Sequence, residues 1–377
     1  MPGFELIGKE EKRELDNLMD KSGILFRHGF DNLRNGVYKT REFEKNFSNQ
    51  MNVQDALALT SGTAALLVAL KAFGIGQGDE VITQSFTFVA TVEAIVESGA
   101  KPIICDIDST LNLDPDALEA KISNKTKAII VVHMLGTPCN LNPIIKIAEK
   151  NKIKIIEDTA WGCGGKLNGK YLGTIGDAGT YSFDFAKTIT TGEGGMAVFK
   201  NKSYLDKAKA YHDHGHENNP LLPRWEDSRS SSGFNYRMSE LQGAIGIAQL
   251  KKLSSIVEAQ RANAKKIKEI IVSKGYELRK SPDGSFETSD AVVFFADSNS
   301  KAKKLRDSLL SVGISTKILP EAISWHFAGM WNHIKELEID SKKEFCKKSL
   351  TILNRAVAIP VFVKMDKDFF KKLEEKL

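Results

Sequence analysis

From residue 56 to residue 199 the chain alternates short apolar, β-branched-rich runs with longer runs of helical length, and this rhythm narrows its possible folds most. The runs at 56–59, 80–83, 101–106, 128–133 and 153–156 read as strands. Between them lie helical stretches at 63–72, 86–97 and 143–150, and a helix start at Asp114 and Pro115. Strands that recur every 20 to 30 residues or so, separated by helices, predict a mostly parallel, doubly wound sheet covered on both faces. Ligands of such sheets bind at the carboxyl ends of the strands. Further strands are expected at 180–183 and 196–199, and a helix at 204–211.

The fold class expected is therefore α/β, and 377 residues are too many for one ordinary domain. Residues 1–250 are expected to form the large domain, opening with a charged amphipathic helix at 1–20. Residues 251–377 are expected to form a smaller α+β domain. Its strands are placed at 291–296 and 356–362, its helices at 301–312 and 341–350. Residues 238–274 read as one or two long helices that could bridge the two domains. Residues 217–233, with Pro220, Pro223 and four serines, have the composition of a loop. Residues 26–41 give no assignment.

Composition excludes several classes of function. An excess of 53 basic over 48 acidic residues leaves a net charge of only +5, too weak and scattered for nucleic acid. Cys105, Cys139, Cys163 and Cys346 show no paired spacing, which argues against a zinc site or a disulfide framework and for reduced thiols in a cytoplasmic protein. No apolar run approaches a membrane span, and residues 1–18 lack the apolar core of a signal peptide.

Residues 158–195 hold the densest chemistry. The run 153–156 leads into Glu157 and Asp158, two carboxylates at a strand end, and Lys187 lies between a second strand and the glycine-rich turn 192–195. Alone, Lys187 reads as a solvated lysine and Asp158 as a helix cap. Upstream, Ser61, Gly62 and Thr63 stand between a strand and a helix, where free N–H groups and the helix dipole hold phosphate. With an aromatic at Phe88 and a hydroxyl at Ser182, the set matches what pyridoxal phosphate needs. An amine binds its aldehyde, a carboxylate keeps its ring nitrogen protonated, a ring stacks on it, and donors take its phosphate.

The strings TSGTAAL, FTFVAT, EDTA, SFDFAKTITTGEGGM and GFNYRMSELQGAIG resemble, in order, those of the DegT/DnrJ/EryC1/StrS sugar aminotransferases. The resemblance runs over roughly residues 5–260 and implies a fold-type-I, aspartate aminotransferase-like architecture. It implies that Lys187 condenses with the cofactor aldehyde and that Asp158 partners the ring nitrogen. Phe88 would be the stacking ring, and Gly62, Thr63 and Ser182 would belong to the phosphate pocket. Asn235 corresponds to an asparagine that reaches the cofactor phosphate of the other subunit, which implies a homodimer with shared sites. The family usually has Gln or His where this chain has Trp161, whose indole N–H can still donate one bond. Family members that lack the lysine are dehydratases, so Lys187 favours transamination.

The opening MPGFELIG, the HDHGHE segment and the residues Trp325, His326, Trp331, Asn332 and His333 resemble family members that aminate an oxidised Kdo sugar acid for lipopolysaccharide. Such enzymes take the amino group from glutamate and place it on the terminal aldehyde. A carboxylate on the substrate calls for a cation, and Arg237, Arg224 and Arg229 are the candidates. His214 is expected at the substrate mouth, with Trp325 and His326 as further substrate residues. The Trp and His residues near 330 read as packing or recognition about equally. His212, His214 and His216 alternate as on a strand face, yet no Cys or carboxylate completes a metal set, so no metal is expected. The lysines at 301–304 and 371–376 read as solvated helix faces. Alternatives are a nucleotide-linked keto-sugar aminotransferase, a sugar dehydratase or sensor of the same fold, and, more remotely, a binding module.

Overall fold

The computed structural model describes residues 2–219, 221–339 and 345–377. Its centre is a seven-stranded sheet built from β1 (Ala56–Leu59), β2 (Glu80–Gln84), β3 (Lys101–Cys105), β4 (Thr126–Val132), β5 (Lys154–Asp158), β6 (Ala178–Ser182) and β7 (Gly195–Phe199). The spatial order is β1-β7-β6-β5-β4-β2-β3. Strands β2 to β6 pair in parallel, and β7 runs antiparallel to its neighbours β1 and β6. This is the α/β, mostly parallel architecture expected from the alternating runs.

Side chains alternate across a strand, so each strand feeds two cores. Leu57, Leu59, Ala197 and Phe199 pack with the helix Gly62–Ala72 on one face. Ala56, Ala58, Met196 and Val198 pack on the other with Phe43, Phe47 and Leu250. Gly62–Ala72 is rich in Ala and Leu, strong helix formers, and Ser61 caps it. Phe43 and Phe47 belong to a helix, Lys39–Met51, that begins inside the stretch left unassigned. Its signal was there: Phe43, Phe47 and Met51 recur every four residues and all are buried.

The helix Glu240–Ser273 is a single rod of 34 residues, opened by a capping box between Ser239 and Gln242. Gly243 and Gly246 let it cross Lys39–Met51 closely. A Cβ on Gly246 would come within 2.7 Å of the Phe43 ring. Leu250 lies inside this helix, so no loop interrupts the chain there. Beyond it, β8 (Ala291–Phe295) and β9 (Ala356–Pro360) pair antiparallel, with Glu277–Leu278 on the free edge of β8. Val292, Phe294, Val357 and Ile359 face Ile267 and Ile271 of the long helix. Ala291, Val293, Ala356 and Ala358 face the other way, into a core that contains Trp161, Phe86 and Phe327.

Several boundaries moved. The N-terminal helix is two pieces, Pro2–Glu5 and Lys9–Lys21. The helix expected from residue 86 begins at Val89, because Phe88 is its extended N-cap. Asp114 caps as expected, but its helix, Pro115–Leu118, lasts one turn. Of the helix expected at 341–350, residues 341–344 lie outside the described residues, and the described part is Lys347–Leu353.

Candidate active site

Strand β5 ends on two carboxylates that alternation sends to opposite faces. Glu157 is consumed by structure: it accepts hydrogen bonds from the N–H groups of Gly173 (2.8 Å), Ile175 (2.6 Å) and Gly176 (2.6 Å), and from His133 Nε2 (3.0 Å). His133 Nδ1 accepts from the Cys139 N–H, which puts the ring proton on Nε2. Asp158 is buried but only lightly bonded. Its Oδ2 accepts from Thr91 Oγ1 at 2.8 Å and its Oδ1 from the Ala160 N–H at 3.2 Å. Burial pushes its carboxyl above the ordinary value, while Thr91, the Ala160 N–H and the charge of Lys187 pull the other way. Such a carboxylate gains most from a cationic partner.

Lys187 follows β6 and is buried. Its Nζ stands 3.6 Å from the centroid of the Trp161 ring and 3.6 Å from Asp184 Oδ2. Burial lowers its pKa, with Asp184 and Asp290 opposing, so the amine loses its proton more readily than a surface lysine. Its carbonyl accepts the Gly3 N–H at 3.0 Å. A Cβ on Gly3 would lie 2.8 Å from that oxygen, so the N-terminal turn seats directly on the lysine loop.

At the helix Gly62–Ala72, the Ser61 hydroxyl accepts from the Ala64 N–H at 3.0 Å. The N–H groups of Gly62 and Thr63, in the first turn, have no partner within the helix itself. Ser182, at the end of β6, lies so close that a Cβ on Gly62 would meet its Cβ at 2.7 Å. Two free donors, a helix N-terminus and a hydroxyl fit a phosphate. Phe88 is half-exposed and its ring is 5.6 Å from that of His326. Buried His326 bonds Ala322 O through Nδ1 (3.2 Å), and burial brings its pKa down to about 4, so it is neutral near pH 7. Together these residues fit pyridoxal phosphate on donor chemistry.

The remaining candidates are dispersed. Asn235 is exposed and its Oδ1 accepts from the Arg237 N–H at 3.3 Å. Arg237 and Arg224 both turn to the carboxylate of Asp213, and Arg229 approaches His216 Nε2 at 3.4 Å. The cation expected among these three is thus tied to internal partners. The histidines do not share a strand face. His212 ends the helix Lys202–Tyr211, His214 is exposed in a left-handed turn, and His216 pairs with Asp227. Trp325 is exposed, whereas Trp331 is buried and donates to Ser324 O at 3.0 Å. His333 lines a hollow of about 550 Å³ with Ser61, Thr63 and Tyr236.

Sequence reasoning missed Thr91, Asp184, Asp290 and Lys317. Thr91 had a signal, since it follows Phe88 by three residues and so shares its helix face. Asp290 and Lys317 come from segments beside the distant C-terminal sheet and carry no local motif.

Comparison with known proteins agrees with the geometry. The model of the DegT/DnrJ/EryC1/StrS aminotransferase family matches residues 28–377. A GDP-perosamine synthase of Escherichia coli O157:H7 is 38% identical over 313 residues, covering 83% of this chain and 82% of that one. A spore coat polysaccharide biosynthesis protein, SpsC, of Bacillus subtilis is 37% identical over 258 residues, 67% of this chain and 64% of that one. The solved aminotransferase of Psychrobacter cryohalolentis superposes with a TM-score of 0.85 at 26% identity, covering 98% and 96% of the two chains. The family match spans most of the chain, the fold is that of fold-type-I transferases, and the donors fit the cofactor: the chain belongs to the DegT/DnrJ/EryC1/StrS aminotransferase family and is a pyridoxal-phosphate-dependent aminotransferase.

Proposed function

We propose that the chain is a sugar aminotransferase. It takes an amino group from L-glutamate and places it on the terminal aldehyde of 8-oxo-3,8-dideoxy-manno-octulosonate, forming 8-amino-Kdo for lipopolysaccharide. The observation that carries the aminotransferase assignment is the buried amine of Lys187 packed beside Trp161, with Asp158 at the same carboxyl end of the neighbouring parallel strand. The sugar acid is supported by the resemblance of the opening, the HDHGHE segment and the Trp and His residues at 325–333 to octulosonate-aminating family members, and by neutral His326, whose Nε2 can accept from a sugar hydroxyl.

Bound pyridoxal phosphate would supply the electrophilic carbonyl and the electron sink. Lys187 Nζ is the amine that would hold that carbonyl, and as a free base it would carry the proton that amino exchange moves. Burial lowers its pKa, which eases loss of the proton. Asp158, oriented by Thr91 and the Ala160 N–H, would keep a proton on the ring nitrogen. Phe88 would stack on the ring, Trp161 would flank it, and Ser61, Gly62, Thr63 and Ser182 would anchor the phosphate. Of the outlying candidates, Asn235 would reach the cofactor phosphate of a second copy, and exposed His214 and Trp325 are open to substrate, whereas Arg237 is held by Asp213.

Asn235 is exposed, and Phe26, Phe30, Leu33, Phe185 and Phe234 are large apolar side chains exposed on this chain. A second copy would cover such a surface, which supports a homodimer with shared sites. The seven-stranded sheet and the β8–β9 sheet would be the cores of the large and small domains, 1–250 and 251–377. Among the described residues no helix is long and apolar enough to cross a membrane, consistent with the cytoplasmic setting we propose.

The relatives named GDP-perosamine synthase favour a second reading, with a nucleotide-linked keto sugar as acceptor. Purified protein offered glutamate with each acceptor in parallel decides between them. Amination of the octulosonate alone supports the first reading, and amination of the nucleotide sugar alone removes it.

A further inference from the structure

Lys317 and Asp290 come from segments beside the C-terminal sheet, yet they meet the residues around Lys187. Asp290 immediately precedes β8, and its carbonyl accepts the Val361 N–H at 3.1 Å. Lys317 is fastened beside β9, its N–H donating to Ala358 O at 2.8 Å. Its Nζ lies 2.6 Å from the Asp290 carboxylate and 4.8 Å from the centroid of the Trp161 ring. Lys187 Nζ lies against the same ring. Both side chains of the pair are largely buried, 13% exposed for Lys317 and 3% for Asp290.

An ammonium carries three donors. Lys317 makes one hydrogen bond, to Asp290, and among the described residues nothing else accepts from its Nζ. Asp290 thus fixes the ammonium in place without satisfying it. The arginines that sequence pointed to are engaged elsewhere, Arg224 and Arg237 by Asp213. Lys317 and Lys187 are the cations packed on Trp161 among the described residues.

Position decides which anion suits this cation. In an α-amino acid the carboxylate is one bond from the carbon that bears the reacting amine, so it lies beside Lys187 Nζ during exchange. The carboxylate of an octulosonate sits at the opposite end of the sugar from its terminal aldehyde, too far to share the spot. We propose that Lys317, held by Asp290, binds the α-carboxylate of the amino donor. The proposal rests on the aminotransferase reading and adds the donor subsite to it. It also gives the C-terminal part of the chain a direct role in the site, since segments hydrogen-bonded to its sheet supply both members of the pair.

The test follows the donor half-reaction alone, as loss of the bound cofactor's visible absorbance in the holoenzyme with rising amino donor. L-glutamate is compared with L-isoglutamine, whose α-carboxylate is an amide, and with L-glutamine, whose side-chain carboxylate is an amide. In the unaltered enzyme isoglutamine should need about tenfold or more the concentration of glutamate, the loss of one charge-assisted bond. Lys317→Gln should raise the glutamate requirement by about the same factor and leave that for isoglutamine unchanged. Lys317→Arg should stay near the unaltered enzyme, which a merely structural pairing would not require. A Lys317→Gln holoenzyme that responds to glutamate like the unaltered one overturns the proposal. So does an unaltered enzyme that takes isoglutamine as readily as glutamate, a comparison that needs no variant and decides even if Lys317→Gln fails to fold. If no amino donor bleaches the unaltered holoenzyme, the aminotransferase reading fails instead, and the two failures are told apart.

Discussion

The ammonium of Lys187 lies 3.6 Å from the centroid of the Trp161 indole ring. The contact joins the loop after β5 to the loop after β6, so two strand ends are registered by one side-chain pair. A desolvated cation on an indole face is worth about 2 kcal/mol. Trp161 also packs with Phe86, Val293, Phe327 and Ala358, which makes it a wall shared by the central and C-terminal sheets.

Trp161→Leu should therefore slow the donor half-reaction by about tenfold, the rate equivalent of 1–2 kcal/mol, with less effect on cofactor binding. Trp161→Phe, which keeps an aromatic face, should recover most of the rate. Rapid-mixing absorbance measurements on the two holoenzymes check it, and equal rates in both would show that the ring face is idle.

Asp158→Asn keeps one oxygen, for the Ala160 N–H, and turns its NH2 toward Thr91, whose hydroxyl can accept instead of donate, so the shape is kept and the charge removed. The fold should melt within a few degrees of the unaltered protein, while amino exchange falls about a hundredfold or more because the ring nitrogen loses its anion. Unchanged exchange in this variant would remove Asp158 from the chemistry.

Gly62 is fixed by proximity, since a Cβ there would stand 2.7 Å from Ser182 Cβ. Gly62→Val should push the helix end from β6, at about 1–3 kcal/mol of overpacking, and weaken cofactor binding by about tenfold. Equilibrium dialysis of the apoprotein against pyridoxal phosphate reads the affinity. An affinity equal to that of the unaltered protein would mean that the phosphate sits elsewhere.

Acid should destabilise the protein through His212. Burial, reinforced by the charge of Arg27, brings its pKa down to about 3, whereas an unfolded histidine titrates near 6.5. Below about pH 6.5 the unfolded chain binds a proton that the folded chain refuses, so the contribution is full above that pH and drains as pH falls toward 3. Between pH 7 and 5 the loss is about 2 kcal/mol from this residue. Denaturant unfolding at the two pH values should show a smaller difference in His212→Gln, and an identical difference would assign the acid sensitivity to other groups.

The alternation of apolar runs made the central sheet legible, because parallel strands covered on both faces need continuous apolar stretches and β4, with Ile129, Ile130, Val131 and Val132, shows one. The helix start at Gly62 and the buried lysine loop were legible for a different reason: each sits in a short contiguous motif. Lys39–Met51 escaped because its polar residues mask a period carried by Phe43, Phe47 and Met51 alone. The orientation of Arg237 could not be read either, since its partner Asp213 is 24 residues away with a loop between. Lys317 and Asp290 are the clearest case of information that exists only after folding. They are 27 residues apart, neither lies in a motif, and their meeting with Trp161 depends on how the C-terminal sheet docks.

The account stands on Lys187 as the point where the cofactor is attached. Borohydride reduction of the holoenzyme, followed by peptide mass mapping, locates that bond, with Lys187→Ala as the companion. The predicted result is a pyridoxyl mass on the peptide containing Lys187, and a Lys187→Ala protein that melts normally but shows neither the label nor turnover. Label on another lysine, or turnover retained in Lys187→Ala, would contradict it.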